Sequence, residues 1–374
     1  MSAGVVAGTM RVPYVDLAAQ YGEEREELLR EIDRTLSTGQ WVGGETVRAF
    51  EQALARANDI PHVVGVGSGT DALILGLRAL DIGPGDEVIT APNSFVSSAA
   101  AIVAVGAVPV FADVLADQTI DPAAVEAKIG PVTKALMPVH LTGRCAAMEA
   151  LLDLAARHGL RVIEDAAQAY GSRLGAQRAG CMGDVGCFSG HPLKNLNAVG
   201  DAGFVFCRSA TVAARIRRLS NNGMSDRDTV EEWGTVSRLD PVQAVALGFR
   251  LGRVDRVIAA RRAHATRYGE KLDARHVFSP RSTPGQFHTF HTFVVQVERR
   301  DELRSHLQRK GIGTGVHYPR PIHLQPAAAS LGYRVGDFPV VERQAQRILS
   351  LPIHPSLCPD DIDLVCDEIN GFYR

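Results

Sequence analysis

Lys194 lies in the run Gly183–Cys207, GDVGCFSGHPLKNLNAVGDAGFVFC. Two short apolar runs, Val185–Phe188 and Gly203–Cys207, bracket a loop of Gly, Pro and Asn there. Loops held between strands are where reactive side chains are commonly mounted. An amine among glycine, proline and apolar neighbours loses charge by desolvation, which makes it a candidate Schiff-base nucleophile. For an isolated Lys-Asn dipeptide a plain surface loop is the better account; the rest of the chain shifts the balance.

Three other groups supply complementary chemistry. In Gly65-Val-Gly-Ser-Gly-Thr-Asp71, glycines and hydroxyls stand between a strand pattern and a helix pattern. Backbone N–H groups and the helix dipole at such a junction attract an anion. A dinucleotide fingerprint fails, because the third glycine falls at Gly69 and Thr70 takes its place. A cup for one phosphate monoester remains, beside the plainer reading of a tight turn capped by Thr70. Asp165 closes the apolar run Arg161–Glu164 within EDAAQAYG. A partly desolvated carboxylate there suits a protonated pyridine nitrogen, which turns the ring into an electron sink; a helix N-cap is the alternative. Phe95, in Pro92-Asn-Ser-Phe95, could stack on a flat ring or simply pack in the core. Histidines 140, 191, 317, 323 and 354 show no i,i+4 pair or carboxylate at ligand spacing, so no metal site is expected. Cup, aromatic, carboxylate and lysine, in that order, are what pyridoxal 5′-phosphate requires.

The elements that position these residues follow from periodicity. Strands Val63–Val66, Val88–Thr90, Val108–Phe111, Ala135–Val139 and Arg161–Glu164 alternate with helices Asp71–Leu80, Ser97–Val105, Pro122–Ile129 and Met148–His158. That alternation predicts an α/β fold with a mostly parallel sheet, helices on both faces, and ligands at the carboxyl ends of the strands. Ser68–Thr70, Asn93–Phe95, His140 and Asp165 fall at those ends. Two amphipathic helices, Gly22–Leu36 and Glu45–Ala57, precede the alternation. Beyond Trp233 come a long helical pattern, Asp240–Leu272, a strand Thr292–Val297, and helices Asp301–Lys310, Val340–Leu349 and Pro359–Phe372. These predict a smaller C-terminal α+β domain, with a division into 1–246 and 247–374 inside the long helix. Its arginines (Arg250, Arg253, Arg256, Arg261, Arg262, Arg267) are expected on a solvated or subunit-facing side.

With 374 residues, 45% hydrophobic and 22% charged, and a formal net charge of −2, the chain fits two soluble domains. That charge gives no reason to expect nucleic acid or an anionic membrane as partner. Six cysteines without a C-x-x-C pair suggest reduced, mostly buried thiols. The N-terminal segment lacks a signal-peptide pattern, and the most apolar window, Ala99–Ala112, is short and broken by Gly106 and Pro109. A cytoplasmic protein is expected.

The chain resembles the DegT/DnrJ/EryC1/StrS group of sugar aminotransferases, which have the aspartate-aminotransferase-like fold type I of pyridoxal-phosphate-dependent transferases. The resemblance runs from Pro13-Tyr-Val-Asp-Leu17 to the helix after Pro359. It is carried by GSGTDAL (67–73), EDAAQA (164–169), GDVGCFSGHPLKNLNAVGDAG (183–203), SRLDPVQA (237–244) and GIGTGVHYPRPIHLQ (311–325). It implies Lys194 as the Schiff-base lysine and acid–base group, Asp165 on the pyridine nitrogen, Gln168 on the ring or its O3′, and Phe95 stacked on the ring. Gly69, Thr70 and Ser189 would hold the phosphate; Tyr318 and His323 would line the sugar side. A homodimer with shared sites is implied, in which Arg238 belongs to an arm (221–240) reaching the neighbour's pocket. Two positions depart from the pattern: Val236 stands where Asn usually contacts the neighbour's phosphate, leaving Ser237 or Asn222 for that contact, and Ala202 replaces a commoner glycine.

The implied reaction moves an amino group from L-glutamate (or glutamine) to a keto group of a nucleotide-linked sugar. The pattern Lys194-Asn195-Leu196 with Gly200-Asp201 leans to 3-keto over 4-keto acceptors; cyclitol ketones use the same scaffold. A sugar dehydratase of this fold has the lysine replaced, typically by histidine, so Lys194 argues against one. A non-catalytic regulatory member is disfavoured by intact Lys194, Asp165 and Gln168.

Overall fold

The computed structural model describes residues 10–374; the expectation of an irregular, leaderless start lies, for residues 1–9, outside them. A seven-stranded sheet runs, in spatial order, His62–Val66, Gly203–Cys207, Val185–Ser189, Arg161–Asp165, Thr133–Met137, Glu87–Thr90, Val108–Phe111. Gly203–Cys207 is antiparallel to both neighbours, and the remaining pairings are parallel. The strands are near-continuous apolar runs because both faces are covered. On one face Val64, Leu73, Leu77, Ile163, Val185 and Ile216 form a core. On the other, one cluster gathers Phe50, Phe188, Phe204, Phe206 and Leu247, and another gathers Phe111, Leu136, Leu151 and Phe338. Leu247, at the expected division, thus packs with the first lobe.

A second sheet, Val277–Phe278, Phe293–Val297 and Ile348–Leu351, backs a separate core that includes Val12, Tyr268, Leu303 and Ile362. Helix Val254–Lys271 joins the two lobes: Ile258 packs in the first core and Tyr268 in the second.

Several boundaries differ from the sequence reading. The first helix starts at Leu17, because Asp16 caps it by accepting from the Ala19 N–H at 2.8 Å. The long helix is two, Pro241–Leu251 and Val254–Lys271, interrupted at the poor helix former Gly252. Helix Pro339–Arg347 gives way to strand Ile348–Leu351, where a helix through Leu349 was expected, because those residues pair antiparallel with Phe293–Gln296. Helix Ala210–Leu219, capped by Ser209, has no counterpart in the sequence reading. Arg250 and Arg261 correct the expectation of a solvated or subunit-facing arginine side, since both are only 8% exposed within the chain itself. All six cysteines are free, five of them buried. No helix among the described residues is long and apolar enough to cross a membrane.

Candidate active site

The turn after the first strand opens helix Gly69–Ala79, and its cap is Ser68, not Thr70: the Ser68 hydroxyl accepts from the Asp71 N–H at 3.1 Å. Thr70 is left to donate to the Ser97 hydroxyl at 2.9 Å. Only glycine fits at 69, because an added Cβ would lie 2.7 Å from Ser189 Cβ. The strand ending at Ser189 and the helix beginning at Gly69 therefore meet, placing two hydroxyls beside a helix N-terminus. That donor set fits a phosphate monoester.

Asp165 ends its strand buried, and no helix follows for it to cap. Its Oδ1 accepts from the Ala167 N–H at 3.2 Å, and its Oδ2 accepts from the Ser98 hydroxyl at 2.6 Å. Ser98 was not singled out from sequence; the signal was the Ser97-Ser98 pair, two and three residues past Phe95. Gln168 is held at both ends: its oxygen accepts from the Thr142 N–H at 2.7 Å and its amide donates to the Tyr318 hydroxyl at 3.3 Å. Tyr318 also leans on Phe95, ring centroids 5.7 Å apart. Burial raises the Tyr318 pKa, and the Asp165 carboxylate adds to the rise. Phe95, 54% exposed, keeps much of its ring open at the strand ends. A half-open aromatic over a polar floor suits stacking better than core packing.

The Lys194 loop is clamped from outside. The Gln20 and Asn197 side-chain amides pair reciprocally at 3.2 and 3.1 Å. Arg250, paired with buried Glu24, donates to the Asn197 and Ala198 carbonyls at 3.0 and 2.8 Å. Desolvation pushes the Lys194 amine down to about 8, opposed by the Asp165 carboxylate. His291 and His317 are kept neutral by burial, and Lys194 adds to the effect. Lys194 also lines a cleft of ≈ 350 Å³ with Tyr14, Asn195, Arg261, His291 and His317.

Two predicted residues lie elsewhere. His323 is buried among the Tyr333 and Phe338 rings with Nε2 on Glu342 at 3.1 Å, which turns it into the core. Arg238 is exposed, donates to the Asn221 side chain at 3.1 Å, and lines a different groove with Gly43, Arg48 and Arg217. The segment around it is a hairpin, with bridges Asn221 to Val236 and Met224 to Val230, and its Trp233 is 87% exposed. Ser237 is buried, its hydroxyl accepting from the Gly67 N–H of the same chain at 3.1 Å, while Val236 faces out. Ala202 is accommodated in the core.

Fold, cup, buried carboxylate and depressed amine together define a fold type I pyridoxal-phosphate-dependent transferase. The model of the DegT/DnrJ/EryC1/StrS aminotransferase family matches residues 22–370, and the chain belongs to that family. It is 44% identical to the dTDP-3-amino-3,4,6-trideoxy-alpha-D-glucose transaminase of Streptomyces venezuelae, covering 94% of this chain and 93% of that one. It is 41% identical to a UDP-N-acetyl-3-dehydro-alpha-D-glucosamine 3-aminotransferase of Acidithiobacillus ferrooxidans (96% and 97% covered). A Geobacillus stearothermophilus protein named as a pleiotropic regulatory protein is 39% identical (98% and 99% covered). Among solved structures, S. venezuelae DesV in complex with a ketimine intermediate superposes with a TM-score of 0.95 at 43% identity, covering 97% of this chain and 99% of that one.

Proposed function

We propose that this chain transfers an amino group from L-glutamate or glutamine to the C3 keto group of a nucleotide-linked sugar, with pyridoxal 5′-phosphate as cofactor. The observation that carries this reading is Lys194, an amine lowered to about 8 at the carboxyl end of a parallel sheet, in the field of buried Asp165. Gly69, Thr70 and Ser189 would hold the cofactor's phosphate, Phe95 its ring face, Asp165 its ring nitrogen and Gln168 its ring edge. The bound cofactor supplies an electron sink for charge developing at the carbon that carries the amine. Lys194 Nζ takes the proton from the donor's α-carbon, which requires the neutral amine that desolvation favours. Asp165, fixed by Ser98, would accept the hydrogen bond of the protonated ring nitrogen and so help retain its proton. Tyr318 orients Gln168 and shields the pocket from water.

The C3 position is supported by the transaminase names of the Streptomyces and Acidithiobacillus relatives, which differ in nucleotide. A regulatory role is supported by the names of the Geobacillus relative and of a Saccharopolyspora erythraea relative called a sensory transduction protein, whereas Lys194, Asp165 and Gln168 are intact here. We further assign a cytoplasmic homodimer in which Arg238, which lines a different groove from Lys194 in its own chain, serves the partner's pocket. The test is borohydride reduction of purified protein, followed by peptide mapping and a screen of 3-keto and 4-keto nucleotide sugars with glutamate. The label should fall on Lys194, and Lys194→Ala should lose both label and turnover by several orders of magnitude. A variant keeping a substantial fraction of turnover would sink the reading.

A further inference from the structure

Arg261 is a buried cation without a carboxylate. Its Nη1 donates to the carbonyls of His291 at 3.0 Å and Ile353 at 3.4 Å, and its Nε has no partner. Taking a guanidinium out of water is costly unless an anion answers it. The neighbouring charges on its cleft are already answered. Glu24 pairs with Arg250, Glu27 with Arg253 at 2.6 Å, and Glu23 with Arg256 at 3.5 Å. Asp16 is occupied as a helix cap. Among the described residues of the cleft, Arg261 is the arginine left unmatched.

The groups around it are unmatched too. Both ends of the Asn195 amide, His291 Nδ1, Thr292 Oγ1 and His354 Nδ1 are buried and make no hydrogen bond. Each of these side chains is 7–8% exposed and lines the cleft that Lys194 lines. Buried polar atoms are rarely left orphaned, and so many in one place mark where a ligand completes them.

We propose that Arg261 and Asn195 form the subsite for a carboxylate of the amino-acid donor, whose amine then faces Lys194. This deepens the aminotransferase reading and rests on it. The chemistry favours a carboxylate over the diphosphate of the acceptor. One guanidinium matches one carboxylate in a bidentate fork. The other groups are neutral, so nothing answers a second phosphate charge. The cleft, at ≈ 350 Å³, also lies near the small end of the roughly 300–1,000 Å³ range for small-molecule sites.

The probe is glutarate, a dicarboxylate without an amine, titrated calorimetrically into the cofactor-loaded enzyme, with uridine and thymidine diphosphates in parallel. Arg261→Gln should weaken glutarate roughly 10- to 100-fold, with Arg261→Lys recovering part of the loss and nucleotide affinity changing less than about twofold. Because Arg261 also holds two carbonyls, Asn195→Leu is the second variant. It removes an amide with no partner in the protein, so the unfolding midpoint should hold while glutarate weakens about 10-fold. Unchanged glutarate affinity in Asn195→Leu, or in folded Arg261→Gln, overturns the proposal. A fall in nucleotide affinity instead assigns Arg261 to the acceptor and overturns it equally. No glutarate binding by the wild type also refutes it. In that case a persisting borohydride label on Lys194 leaves the aminotransferase reading standing, and its absence removes that reading as well.

Discussion

Replacing Glu164 with Gln should destabilise the protein more than any surface change, although Glu164 touches neither lysine nor cup. Its side chain is fully buried and accepts four hydrogen bonds. Oε1 takes the N–H groups of Met182 at 2.7 Å and Gly183 at 2.6 Å; Oε2 takes Gly180 N–H and His140 Nε2, each at 2.8 Å. His140 Nδ1 accepts from the Ala146 N–H at 3.1 Å, so the ring proton sits on Nε2 and cannot move without breaking that bond. Glutamine converts one oxygen into a donor. Whichever way round it sits, two buried donors then face a donor. Each orphaned donor costs about 1–3 kcal/mol, offset in part because a carboxylate is no longer buried, for a net loss of about 3 kcal/mol. Total stability is typically about 5–15 kcal/mol, so the loss is large. The damage falls on residues 180–183, which lead into strand Val185–Ser189, and on the strand ending at Asp165; cofactor affinity should weaken too. Urea unfolding of cofactor-free protein gives the magnitude, and amide exchange at Gly180, Met182 and Gly183 gives the location. A loss below about 1 kcal/mol with unchanged exchange would show that these four bonds do not act as argued.

In cofactor-free protein, reductive coupling of a small aldehyde to Lys194 should rise with pH around a midpoint near 8; a midpoint near the ~10.4 of free lysine contradicts the desolvation argument. Because the folded value is lowered, the unfolded chain holds more protons above about 8. Unfolding free energy should therefore rise with pH from there to the unfolded value, and Lys194→Met should remove that slope. Asp165→Asn should stay folded, since its amide oxygen still accepts from Ser98 or Ala167. It should slow the single-turnover half-reaction with glutamate roughly 10- to 100-fold, and an unchanged rate would make Asp165 a turn former only. Mixing inactive Lys194→Ala and Arg238→Ala subunits should restore activity to some heterodimers if Arg238 serves the partner. No recovery after verified subunit exchange places both residues in one chain's site.

The chemistry-bearing residues were legible because each is announced locally. A strand period stops at Asp165, a glycine-rich turn separates strand from helix at Gly69, and two apolar runs bracket Lys194. Parallel pairing of Arg161–Asp165 with Val185–Ser189 carries Asp165 and the Lys194 loop to one end of the sheet, and the antiparallel strand Gly203–Cys207, inserted between Val185–Ser189 and His62–Val66, leaves Gly69 at that same end. Two of the misplaced features are ones in which a distant partner outweighed local pattern. Ile348–Leu351 reads as the end of a helix until Phe293–Gln296 is beside it. His323 lies close in sequence to Tyr318, yet an aromatic cluster and Glu342 draw it away from Gln168.

By itself the sequence determined the fold class and the cofactor chemistry and pointed to the residues proposed to carry it, since these depend on residue type and short spacing. Only the tertiary structure decided which groups support them. The Ser98 bond to Asp165 spans 67 residues, the Gln168 bond to Tyr318 spans 150, and the Arg250 pair with Glu24 spans 226. It also decided which of six similar arginines is buried and unmatched. Charge balance is a property of neighbours in space, and a guanidinium's partner, or lack of one, leaves no mark in the residues beside it.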